Sequence, residues 1–540
     1  MNWSYPLAVL VFLAPVADAA TLTVTRFDDP APNGCLANDC SLREAVVAAN
    51  ATTAADIVVL SAGTYSLTRT CSVDSASCQD LDVTRPLTIV GAGPETTTIA
   101  NAIPHFPLLP ADRAHTRVLE ANATQLTLQG LGLRSGYLAV ASSGSRTGGC
   151  LLARTSTLTM TDVRVEECTT YVPGTTETGD GGGIALVDTT ALMTRVFVTL
   201  NDALNGGGMH VRNGSVRGTA VQIRSNAAAF TGGGIMLIDA PLTLGGKSRI
   251  STNGALRGGG MSIGGNLGAV VGGAGAALDE RLWVIDNGAY SIAGGVLLSH
   301  VNAYGSIGAY TLRNLRVVGN MAVEHGAGMV IALVAAVPVA PLLLTDSEIA
   351  ENDTNGDGGG LYFQVLSAGP DSVLQRLSFW KNSAAGRGGA MRIEGAPTIR
   401  HVSTYYNQGI GGGSSMHVPG SVAPTVSFYS ALEHLVTAIA TDTAISFQAS
   451  VITGECTGPW IDLGNNFRLD SAVGCPGTSA NAAQLSIAYG EYGSHPAVGI
   501  TSPTSILRDQ ALNFPGTRDV RGYLRQGLAD VGAFEYDGVP

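Results

Sequence analysis
The chain has 540 residues; 70 are glycine, 13 % are charged, 45 % are hydrophobic, and the formal net charge is −12. So much apolar content with so little charge excludes a disordered chain, and the scarcity of charged helix formers excludes a coiled coil. An acidic balance without any basic run excludes nucleic acid as a partner.

In chain order, the first element is an apolar run from Leu7 to Val16, followed by Ala17-Asp18-Ala19. A short apolar run ending in small residues reads as a cleaved signal peptide over residues 1–19, and it is too short to span a bilayer. The mature chain is therefore expected to be secreted, in the extracellular space, the periplasm or at the cell surface, as a monomer without a transmembrane segment.

Residues 20–55 read as an N-terminal cap. Ser41 and Glu44 stand at capping-box spacing ahead of Ala45-Val46-Val47-Ala48-Ala49, which predicts a short helix over residues 41–50. Strand signals follow at Ile57–Leu60, Gly63–Leu67 and Leu87–Gly91.

Residues 56–450 carry a repeat. Asn recurs at Asn201, Asn226, Asn253, Asn287, Asn320, Asn352, Asn382 and Asn407, and each is followed by a glycine cluster such as Gly206-Gly207-Gly208 or Gly258-Gly259-Gly260. After each cluster apolar residues alternate with other types, as in Met209/Val211, Ile235/Leu237 and Met261/Ile263. Period two means strands with one buried face. A repeat of about 29 residues that holds short strands and no helix predicts one coil of a parallel β-helix. Equivalent Asn residues should then stack and hydrogen-bond through their side-chain amides. The apolar stretch Ala327–Leu344 is in phase with this repeat, and Pro338 and Pro341 make it two strands rather than a membrane helix. Residues 451–540 read as C-terminal coils and a closing segment. The fold class is all-β, a right-handed parallel β-helix with a short N-terminal capping helix.

Eight cysteines fall into four local groups: Cys35 with Cys40, Cys71 with Cys78, Cys150 with Cys168, and Cys456 with Cys475. Export permits disulfides, and loop length favours nearest neighbours, although eight thiols allow about 105 connectivities. No CxxC spacing supports a metal site.

Cys40-Ser41-Leu42-Arg43-Glu44-Ala45 resembles the motif of CSLREA-domain secreted bacterial proteins. Residues 56–136 resemble the first coils of pectin-lyase-like β-helix proteins. Arg518-Asp519-Val520-Arg521-Gly522, with Asp530-Val531-Gly532-Ala533-Phe534-Glu535, resembles the closing segment of the same secreted proteins. Phe379-Trp380-Lys381-Asn382 and Gly388-Gly389-Ala390-Met391 are similar to the repeats of polymorphic surface adhesins. The resemblance implies a secreted right-handed β-helix and assigns it no general reaction.

The outward strand positions are mostly small or aliphatic. The exceptions are His210 with Arg212, and Tyr362 with Arg392 in the next coil, and these four are the ligand-facing candidates. Asp180 and Asp357 precede glycine clusters and read as turn formers. No catalytic residue, metal or cofactor is implied. The first reading is a binding or structural role at the cell surface, by adhesion or glycan contact, with a polysaccharide or a host or cell-surface protein as partner. The alternative is a polysaccharide lyase or glycoside hydrolase acting on an acidic polysaccharide.

Overall fold
The computed structural model describes residues 18–69, 75–102, 117–138, 147–170, 179–301, 307–334, 340–365, 372–420, 422–433, 437–492, 495–511 and 518–538. The predicted signal peptide and Cys71 lie outside them, apart from Asp18 and Ala19 at its end.

Helix α1 spans Leu42–Asn50. Its start is set locally: the Ser41 hydroxyl accepts the Glu44 N–H, and the Glu44 carboxylate accepts the Ser41 N–H at 2.7 Å. Its apolar residues Leu42, Ala45, Val46 and Ala49 are buried on the first coil, so the helix covers the otherwise open end of the stack.

From there the chain coils. Among the described residues, three parallel sheets of 25, 14 and 8 strands run along it, here the long, front and short sheets. In the front sheet Met209 pairs with Ile235, Ile235 with Met261, Met261 with Val296, and Val296 with Met329, each one coil further on. The alternation seen in the sequence places these residues inside, where they are fully buried. One elongated core runs from Val24 to Cys475. The architecture is the parallel β-helix predicted from the repeat. Met329–Val334 and Leu342–Ala350 are strands, as the apolar stretch around Pro341 required.

The Asn residues stack as expected. Each Nδ2 donates to the Oδ1 of the next Asn at 2.9–3.0 Å, from Asn201 through Asn226, Asn253, Asn287, Asn320, Asn352 and Asn382 to Asn407. The same Oδ1 accepts a backbone N–H, at 3.0 Å for Asn253 onto Asn287. These residues are buried, so every rung satisfies polar groups that water cannot reach. The row ends on Glu433, whose carboxylate accepts from the Asn407 side chain at 3.2 Å and its backbone at 3.1 Å.

The glycine clusters have a steric cause. Gly206 sits at φ +61°, and a Cβ on Gly207 would lie 2.1 Å from the Ala227 carbonyl oxygen of the next coil. Only glycine lets the backbones approach so closely at this turn.

Cys35–Cys40, Cys150–Cys168 and Cys456–Cys475 are disulfides. Past residue 481 the chain stops coiling and folds back along the outside of the long sheet. A hairpin, Ile487–Tyr492 with His495–Ile500, lies there. The Val498 N–H donates to the Ser403 hydroxyl at 2.7 Å, and the Tyr489 ring stacks on Tyr405 at 4.1 Å. Further on, the Ala533 N–H donates to the Ser430 hydroxyl at 2.8 Å.

Candidate functional site
The outward side of the front sheet is a continuous row in register: Ala185, His210, Met236, Ser262, Leu297, Val330, Tyr362, Arg392 and His417. A second row runs beside it on the short-sheet side, where Asp180 pairs with Asn205, Asn205 with Thr231, and His325 with Asp357. Between the rows the chain makes its glycine turn. The turn brings the second row against the first, and Ala293, Leu297 and Val330 form a small apolar cluster there, outside the main core.

That geometry corrects one expectation. His210 points away from the core but is only 4 % exposed, so it does not stand in solvent as an outward position suggests. Among the described residues neither ring nitrogen has a hydrogen-bond partner. Burial lowers its pKa, with Asp180 opposing and Arg212 adding to the effect, so the ring is neutral. Arg212, two residues on, is exposed. Met236 separates the His210 row position from Ser262, and six strand steps separate His210 from Arg392. At ~4.8 Å per step that is about 29 Å, too far for one small-molecule site.

Tyr362 and Arg392 do meet, on adjacent strands. They are the centre of a polar group of which the sequence analysis named only these two as ligand-facing. The Tyr362 hydroxyl donates to Glu394 at 2.9 Å, Gln364 donates to the same carboxylate at 2.7 Å, and Arg392 donates to it at 2.7 and 2.9 Å. Arg392 also ion-pairs with Asp357. Asp357 therefore anchors an arginine and accepts the Arg387 backbone N–H at 2.6 Å, a larger role than the turn former read from sequence. The His325 ring stacks on Tyr362 at 5.0 Å, while the Arg392 guanidinium lies 5.5 Å from that ring. The Arg387 guanidinium donates to the His417 Nε2 at 3.2 Å, so that nitrogen is the unprotonated one.

The electrostatics follow from this packing. Burial raises the Glu394 carboxyl, but hydrogen bonds from Arg392, Tyr362 and Gln364 outweigh it and hold the group below its ordinary range. Tyr362 is pushed up to about 12 by burial and by the carboxylate it donates to. His417 falls to about 4, through burial and then the nearby Arg392 and Arg387. Glu394 is thus charged, His417 neutral and Tyr362 protonated near neutral pH. Two acidic groups, Asp357 and Glu394, face two basic ones, Arg387 and Arg392, so the cluster offers many donors and acceptors and no net charge. Gln364 and Glu394 were legible as the second outward position of their strands. His325 and Arg387 were not, because they reach the cluster from the turn side.

No family model matches the chain, and no curated protein matches it. Among solved structures, the crystal structure of pectate lyase Pel9A is similar at 11 % identity and a TM-score of 0.28, over 96 % of this chain and 97 % of that one. The catalytic domain of a GH87 alpha-1,3-glucanase in complex with nigerose is similar at 11 % identity and a TM-score of 0.27, over 86 % of this chain and 71 % of that one. At this level the likeness bears on neither activity nor ligand.

Proposed function
We propose that the protein is an exported carbohydrate-binding solenoid that holds an extended glycan across the outer side of its front sheet. One observation carries this reading. Along an outer row that is otherwise largely small or aliphatic, the Tyr362–Arg392 cluster gathers part-exposed donors and acceptors and holds them rigid by hydrogen bonds to one another. Side chains that are already ordered lose little entropy when a ligand arrives. The cluster's balanced charge favours a neutral glycan over the acidic one considered from sequence. Exposed Arg212 lies far along the same sheet, which suits a polymer. Three disulfides among the described residues, and the absence among those residues of any helix long and apolar enough to cross a membrane, accord with an extracellular site of action.

The test is isothermal titration against soluble neutral glucans, xylan and galactan, with polygalacturonate as the acidic arm. Binding to a neutral polymer is expected, weakened at least about tenfold in a Gln364→Ala/Arg387→Ala variant whose melting curve is unchanged. Arg392 stays in place so that Asp357 and Glu394 keep their partner. Full binding by that variant, or binding to polygalacturonate alone, overturns the assignment.

A further inference from the structure
The closing segment is held to the coils along one line. Ser378, Ser403 and Ser430 stand in register on successive strands of the long sheet. Each bonds the returning chain: Ser378 donates to the Pro496 carbonyl, and Ser403 and Ser430 accept the Val498 and Ala533 N–H groups at 2.7 and 2.8 Å. Val531 and Phe534 pack with Phe428 and Val451 of the coils. Beside this line the closing segment inserts one charged side chain, Arg525, and the coils meet it with a histidine.

His401 and Phe428 occupy the same bend on adjacent coils, at φ 54° and 51°, and their rings stack at 4.9 Å. His401 is only 3 % exposed. Arg525 lies 4.2 Å from the Phe428 ring, and its guanidinium donates to His401 Nδ1 at 3.3 Å. Arginine has donors only, so Nδ1 is the unprotonated nitrogen and the imidazole is neutral. The other charges that act on the ring are cations as well. Arg400 is its chain neighbour, and Arg376 stands on the preceding strand. Arg376 is paired with Asp346 at 2.6 Å, and Arg400 donates to Gln375 at 2.9 Å. On the closing segment, Asp519, Asp530 and Glu535 are the acidic groups that act on Arg525, with Glu535 in an ion pair at 2.9 Å. A proton added to His401 would thus turn an acceptor into a donor against a guanidinium, in a buried place ringed by arginines.

We propose that the closing segment is an acid-sensitive latch: it is locked on the coils while His401 is neutral, and a proton on His401 drives Arg525 and the segment around it off the long sheet. Release frees the serine line and uncovers the outer side of Tyr405, on which Tyr489 of the segment stacks. Burial first, then Arg525, Arg400 and Arg376, hold His401 well below its ordinary range while the latch is closed. In the open form the imidazole regains a value near 6.5. The open form therefore takes up a proton that the closed form refuses, and acid favours opening from about pH 6.5 downward. Asp530 and Glu535 work the other way. Burial raises both in the closed form, so they take up protons more readily there and limit the response at the acid end. The histidine alone allows a rise in the opening constant of up to about 25-fold between pH 7 and pH 5.

The experiment is hydrogen exchange read by mass spectrometry on the full chain at pH 7 and pH 5, with each peptide's rate divided by its intrinsic rate at that pH. In the wild type, opening of residues 495–511 and 518–535 is expected to rise about tenfold at pH 5, while the coil that carries Asn320 keeps its protection. His401→Asn retains an oxygen acceptor for Arg525, suits a positive φ and does not titrate. In that variant the rise should shrink to less than about twofold. His401→Gln, which also accepts and does not titrate, provides a second reading of the same ratio. Equal opening of the closing segment at both pH values overturns the latch. So does an acid response that persists in either variant, or an equal loosening of the closing segment and the Asn320 coil.

Discussion

His210 and Ile235 show that pointing inward and being buried are different properties. Ile235 is in the core, whereas His210, on the preceding strand, is outside it and still covered by the turn. A neutral imidazole with two unpartnered nitrogens in such a place is a burden, since an unsatisfied buried polar group costs roughly 1–3 kcal/mol. His210→Met, matching neighbouring Met236, is therefore expected to raise the melting temperature, by an amount equivalent to about 1 kcal/mol. The effect depends on pH. The folded pKa is lowered, so as pH falls through about 6.5 the unfolded chain takes up a proton that the buried ring refuses, and wild-type stability drops. The gap between variant and wild type should widen from pH 7 to pH 5 in calorimetric melts. A gap that is constant or narrows in acid contradicts a buried, neutral His210.

The Asn ladder is where sequence and structure agree most closely, for a physical reason. Stacked coils place the same chemical demand at the same point of every turn, and a demand repeated in space must be repeated in sequence. Asn287 illustrates it. Its Oδ1 accepts both the backbone N–H and the Nδ2 of Asn253, while its own Nδ2 bonds the Ile250 carbonyl and Asn320. Asn287→Ala leaves those buried donors of Asn253 without this acceptor, at an expected cost on the order of 3 kcal/mol. Hydrogen exchange should quicken in the coils carrying Asn253 and Asn320 and stay unchanged in those carrying Asn382 and Asn407, because coupling in a solenoid runs between neighbours. Uniform loosening of all coils contradicts this. The partners of Tyr362 that arrive from the turn were hidden for the converse reason, since no periodicity places His325 over that ring.

At the scale of the whole molecule, the last part of the chain behaves differently from the coils. Its centre is Arg525, whose side chain is 1 % exposed; it ion-pairs with Glu535 at 2.9 Å, donates to the Asp530 and Gly532 carbonyls, and lies 4.2 Å from the Phe428 ring. Removing it strands a buried carboxylate, so Arg525→Ala is expected to cost about 3–5 kcal/mol locally. Limited proteolysis should then cut after residue 481 while the β circular-dichroism signal of the coils remains; resistance equal to wild type contradicts this role. The closing segment is held by single tertiary contacts rather than by repetition, so its packing left no signal in the sequence beyond the resemblance of Arg518–Gly522 and Asp530–Glu535 to a known terminus. The coils have the opposite property. Every interior rung of the Asn row receives the same two donors and passes on the same two, whichever coil it belongs to. Adding or deleting one whole turn between two rungs therefore leaves the chemistry on either side unaltered. The length of this molecule is in that sense a free variable, and the span between its capping helix and its closing segment is a distance that duplication can adjust one turn at a time without redesigning either end.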